Sequence, residues 1–120
     1  MSSMVQYVVV RGDLIKEPLK WPLGALLAQA CHAVTAVTHL YYEDEQTQIY
    51  LKDLDNMHKV VLEAPNEQSL VDLKQKLEET GVKHKMWIEQ PENIPTCIAV
   101  KPYGKEEVQK YFKKFKLFKG

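Results

Sequence analysis

The stretch Lys59-Val60-Val61-Leu62-Glu63-Ala64-Pro65-Asn66-Glu67 decides the fold. Its first six residues read as a strand, because β-branched Val60 and Val61 and apolar Leu62 suit a pleated, half-buried surface. Pro65-Asn66 opens a helix, with Asn66 as N-cap and Glu67 at the positive end of the helix dipole. Leu70, Leu73 and Leu77 give that helix one buried face, and Gly81 ends it as a left-handed cap. Downstream, Val82 to Glu89 reads as a strand with Met86 and Ile88 on one face. Gln90 to Asn93 is a turn around Pro91, and Thr96 to Val100 is another buried strand. Gly104 opens a last helix with Val108, Tyr111, Phe112 and Phe115 inside. Upstream, Val5 to Arg11 is a buried strand, residues 13–22 are a loop, and a long helix runs from about Pro22 to Tyr42. A shorter helix or irregular segment covers residues 46–56. The order β-α-(α)-β-α-β-β-α predicts an α/β protein, a three-layer α/β/α sandwich around a central mixed, mostly four-stranded sheet.

The 120 residues suffice for one core, so 1–120 is read as a single domain. Sixteen basic and sixteen acidic side chains cancel, so bulk electrostatics predict no strong pull toward nucleic acid or membrane. The charge is uneven, however. Residues 41–60 are rich in Asp and Glu, while residues 101–120 carry seven lysines, Lys101, Lys105, Lys110, Lys113, Lys114, Lys116 and Lys119. Cys31 and Cys97 form neither a disulfide framework nor a metal spacing, which suits a reducing, cytoplasmic setting and small core residues. The start Met1-Ser2-Ser3-Met4-Val5-Gln6 lacks the charged and apolar regions of a secretory signal. No apolar run is expected to span a bilayer.

The helix Trp21-Pro22-Leu23-Gly24-Ala25-Leu26-Leu27-Ala28-Gln29-Ala30-Cys31-His32-Ala33 carries the candidate chemistry. It is apolar nearly all round, so it is expected to be covered on more than one side. Gln29 and His32 stand almost alone among Ala and Leu, one turn apart on one face. Burying such groups without partners costs about 1–3 kcal/mol each. Gln29 suits the positioning of a carbonyl or a phosphate-ribose edge, and His32 suits a held imidazole; each also has a purely structural reading, as a satisfied amide and a core histidine. Thr96, at the start of its strand, can orient a water. Glu89-Gln90-Pro91-Glu92-Asn93 is a polar turn at a strand end, where Glu89 or Glu92 can serve as a general base. No phosphate-binding glycine loop, Gly-x-Ser-x-Gly elbow or His-Glu-x-x-His pair is present. Arg11-Gly12-Asp13 closes a buried strand and is not read as an adhesion motif.

Several of these pieces, in order, resemble the archaeal and eukaryotic type of peptidyl-tRNA hydrolase. They are the strand ending Arg11-x-Asp13-Leu14, then Gly24 with Ala28-Gln29 and His32-Ala33, then Lys59-Val60-Val61-Leu62 and Ala64-Pro65-Asn66-Glu67, and the Thr96 strand ending in Pro102. Trp21-Pro22-x-Gly24-Ala25-Leu26 and Glu89-Gln90-Pro91-Glu92-Asn93-Ile94 look most like the branch called peptidyl-tRNA hydrolase domain-containing proteins. The resemblance implies a cytosolic α/β protein, often homodimeric, that cleaves the ester between peptide and tRNA without metal or cofactor. It implies catalytic roles for His32, Gln29 and Thr96, with Glu89 beside them. Arg11, Asp13, Lys20, Gln90, Asn93 and Lys101 are the candidate substrate contacts. Two departures stand out. Ala25 occupies the family's lysine position, and Gln90 and Ile94 stand where the family has an aspartate and a threonine. Lys16 or Lys20, in a loop longer than the family's usual one, are candidates to replace the missing ammonium.

Overall fold

The computed structural model describes residues 4–120; of the start Met1–Gln6, read as lacking a secretory signal, the first three residues lie outside them. In chain order the elements are β1 (Met4–Arg11), α1 (Leu23–Leu40), α2 (Glu45–Lys52), β2 (Lys59–Ala64), α3 (Glu67–Glu79), β3 (His84–Glu89), β4 (Ile94–Val100), β5 (Tyr103–Gly104), α4 (Lys105–Val108) and β6 (Lys116–Leu117). Tight 3-10 turns cover Gly12–Ile15, Leu54–Asn56 and Gln109–Tyr111. The sheet runs β3-β4-β1-β2-β6, and the short β5 pairs with β1. Strands β1 and β2 are parallel, while β4, β5 and β6 pair antiparallel. The expected α/β sandwich is thus present, with four long strands in its mixed sheet and two short ones added to make six. The two extra strands have only two residues each, too short to leave a period in the sequence.

Alternation along β1 divides the core into two layers. Val5, Tyr7 and Val9 pack with Ile98, Val100 and the α3 leucines Leu70, Leu73 and Leu77. Val8 and Val10 pack with Cys97, Ala99 and the α1 residues Leu26, Ala33 and Val37. The α3 signals appear as read: Asn66 accepts from the Ser69 amide, Ser69 reciprocates as a capping box, and Gly81 has φ +75°.

Four local expectations change. Helix α1 buries one stripe only, and Leu23, Leu27 and Leu40 are half exposed or more. It is long and apolar enough by composition to cross a bilayer, with a mean hydropathy of 1.3, against the expectation of no such run. Its buried stripe lies instead on β4, β3 and β1. The last helix is a single turn followed by a 3-10 turn; Phe112 and Phe115 are still buried, and Phe112 stacks on Tyr7 at 4.3 Å. Cys97 is buried, which pushes its thiol pKa up, but Cys31 is exposed rather than a core residue.

Candidate active site

Irregular pairing in the β3–β4 hairpin creates the site. Trp87 pairs with Cys97 and Ile88 with Pro95, so Thr96 is the extra residue of a β-bulge. Strict alternation from Cys97 would turn Thr96 away from α1. A bulge re-aims the side chain, and the Thr96 hydroxyl donates to Gln29 Oε1 of α1 at 2.9 Å. Both residues are almost wholly buried. Gln29 Nε2 donates in turn to the Ala25 carbonyl at 3.1 Å, leaving one amide hydrogen uncommitted. Above this pair opens a cleft of about 230 Å3 lined by Trp21, Pro22, Ala25, Gln29, Glu89 and Glu92. A larger hollow, about 430 Å3, lies at the His84 end of β3 and shares none of these residues.

His32 is exposed, one turn beyond Gln29. Its ring stacks on Trp87 with centroids 4.7 Å apart and planes 24° apart. The Trp87 indole N–H donates to Glu89 Oε1 at 2.8 Å. The sequence reading missed Trp87. Its spacing of two from Glu89, which puts two strand side chains on one face, was the available signal. The Asn93 amide donates to the Glu89 carbonyl at 2.7 Å, and Asn93 takes φ +60°, closing the turn that holds Glu89 and Glu92 at the rim. Gln90 is exposed and faces Asn93 at 3.4 Å.

Arg11 supports the bulge from below. Its guanidinium grips both Asp13 carboxylate oxygens, at 3.0 and 2.8 Å, and donates to the Pro95 carbonyl at 3.1 Å. Arg11 is buried and holds Asp13, the carbonyl of the residue before Thr96 and, at 3.5 Å, the Glu67 carboxylate. Lys20 is exposed and pairs with Glu17 at 3.2 Å, while Lys16 reaches Glu63 at 3.4 Å. Neither lysine lines the cleft. Lys101 follows the far end of β4. There it is buried against Asp44 Oδ2 at 3.0 Å, Gln46 Oε1 at 2.9 Å and the Pro102 carbonyl at 2.9 Å. The fold thus brings Gln29, His32, Glu89 and Thr96 together, with Asn93 and Gln90 at the rim and Arg11 and Asp13 beneath. Lys20 and Lys101 stay apart. Among the described residues no three His, Cys, Asp or Glu side chains gather as a metal site would require.

A buried amide–hydroxyl pair under a carboxylate-rimmed cleft suits the positioning of a water beside a carbonyl carbon. The family model described as peptidyl-tRNA hydrolase PTH2 matches residues 4–118, and the chain belongs to that family. It is 54% identical over 116 residues to the mouse and human proteins named "Putative peptidyl-tRNA hydrolase PTRHD1", covering 97% of this chain and 83% of each relative. It is 32% identical over 125 residues to the "Peptidyl-tRNA hydrolase" of Thermococcus sibiricus, covering 98% of this chain and 99% of that protein.

Proposed function

We propose that the protein hydrolyses peptidyl-tRNA, cleaving the ester between the peptide and the terminal ribose by water attack. The observation that carries this reading is the Thr96–Gln29 hydrogen bond beneath the cleft rimmed by Glu89. Buried Thr96 fixes the Gln29 amide by donating to its Oε1, and the free Gln29 N–H, which lines the cleft, faces oxygen of the substrate. Glu89 takes the water proton as the oxygen bonds to the carbonyl carbon. The ester C–O bond then breaks, and the ribose oxygen leaves with the proton that Glu89 took from the water. His32, on its Trp87 shelf, flanks the reacting ester. The two free thiols fit a cytoplasmic setting, and exposed Leu23 and Leu27 of α1 offer a surface for a homodimer.

A second reading rests on Ala25. A methyl group lines the cleft where the resemblance places a lysine, so the family's ammonium is missing from this pocket. On that reading the fold binds tRNA or a protein partner without turnover. Release of peptide from N-blocked peptidyl-tRNA, measured beside His32→Ala, separates the two. Release that the variant abolishes supports the hydrolase; no release at high protein concentration, with the fold intact, supports the binder.

A further inference from the structure

The lysine-rich C-terminal segment takes no part in the cleft, yet it returns to the same end and face of the sheet. Val10 pairs with Cys97 on one side and Glu63 on the other, and Glu63 pairs with Lys116. Cys97, Val10, Glu63 and Lys116 thus form one transverse row. Residues paired in this way share a face, and Val10 and Cys97 point to α1. Three strand spacings separate the ends of the row, about 14 Å. Thr96 adjoins one end. At the other end Lys16, Lys114, Lys116, Glu63 and Pro65 enclose a hollow of about 250 Å3. Helix α1 covers β4, β3 and β1 but not this half of the face; Val61, which shares the face with Glu63, is 37% exposed. Three ammonium groups meet one carboxylate here, and that carboxylate bonds only Lys16, at 3.4 Å. The chain as a whole is neutral, so this corner is a local excess of positive charge.

From this geometry we infer that the Lys16–Lys114–Lys116 hollow is a phosphate-docking site for the tRNA strand leading away from the ester. The inference rests on tRNA being the substrate of the cleft. A strand anchored at the cleft spans this distance within a few nucleotides, and its far end lies over the β2–β6 half of the face that α1 does not cover. Ammonium groups bind phosphates largely by releasing condensed counterions, so their contribution shows in the salt dependence.

The test is binding of fluorescein-labelled deacylated tRNA, by anisotropy from 50 to 200 mM salt, for the wild type and for Lys114→Ala/Lys116→Ala. Both side chains are exposed, so the fold is expected to tolerate their loss. The double variant should bind about tenfold more weakly at low salt, with the slope of log affinity against log salt reduced by about 2. Lys74→Ala/Lys76→Ala, on α3 across the sheet, should leave both unchanged. Hydrolysis of an N-blocked aminoacyl-adenosine, which lacks the phosphates, should be equal in the wild type and the Lys114/Lys116 variant. If tRNA binding falls as stated but no ester is cleaved, the docking site stands and the hydrolase reading fails. Unchanged affinity and slope in the Lys114/Lys116 variant, equal losses in the α3 control, or no tRNA binding by the wild type overturns the site.

Discussion

The imidazole of His32 lies on the indole of Trp87, with ring centroids 4.7 Å apart, and the same indole donates to Glu89 at 2.8 Å. One side chain thus sets the position of two candidate catalytic groups from different elements. Trp87→Phe keeps a ring under His32 and removes the N–H. It should lower kcat for peptide release about tenfold while leaving KM for peptidyl-tRNA unchanged, since the lost contact steers the carboxylate rather than the RNA. A matching rise in KM with kcat intact would assign Trp87 to binding instead.

Thr96→Val removes the hydroxyl that serves the buried carbonyl of Gln29. An orphaned acceptor should cost about 1–3 kcal/mol of stability, visible as a lower denaturant midpoint. Thr96→Ser restores the donor and should recover both stability and peptide release. Full activity in Thr96→Val would exclude the hydroxyl from the reaction.

Ala25 lines the cleft one turn before Gln29 and is partly exposed, so a longer side chain has an exit toward solvent. Ala25→Lys places an ammonium near the developing oxyanion. Single groups in that role are worth about a hundredfold or more, and peptide release should rise at least tenfold. A fall in release would show that this cleft has been reshaped around the methyl group.

Asp44 and buried Lys101 form the ion pair that ties α2 to the end of β4. Burial raises the Asp44 carboxyl, but the Lys101 ammonium and the amides of Thr47 and Gln46 together hold its pKa below the ordinary 3.8. A depressed carboxylate contributes stability above its unfolded pKa and loses it as the pH falls through the folded value. Asp44→Asn keeps the N-cap acceptor and removes the charge, and should cost about 1–2 kcal/mol at pH 7. The difference from the wild type should shrink below pH 3.8 and vanish as the folded carboxyl is protonated. A difference independent of pH would mean that the pair acts through packing alone.

Periodicity made most of the fold legible. The strand–cap–helix signal at 59–67 and the α3 leucines appear where they were read. What escaped was set by tertiary pairing. Two-residue strands carry no period, the aromatic C-terminus packs as turns with its rings still inward, and the open side of α1 looks in sequence like its buried side. The site divides the same way. Gln29 and His32 announced themselves as polar groups in an apolar helix. The partner of Gln29 depended on a bulge that no residue type signals, and the surroundings of Lys101 depended on a long-range ion pair.

The cleft draws on just two stretches of chain, residues 21–32 and residues 87–96. The bulged hairpin contributes the carboxylates and the hydroxyl as one continuous segment. The helix contributes the amide, the imidazole and the vacant lysine position. Leu26 and Ala33 share one core cluster with Cys97, Trp87 and Ile94, which holds the two stretches together. One hydrogen bond and one ring stack link their reactive groups, so the groups facing the cleft can change without rebuilding that packing. The helix half can therefore exchange its reactive groups during evolution while the hairpin half keeps its shape, so new chemistry can arise on an inherited platform without a new fold.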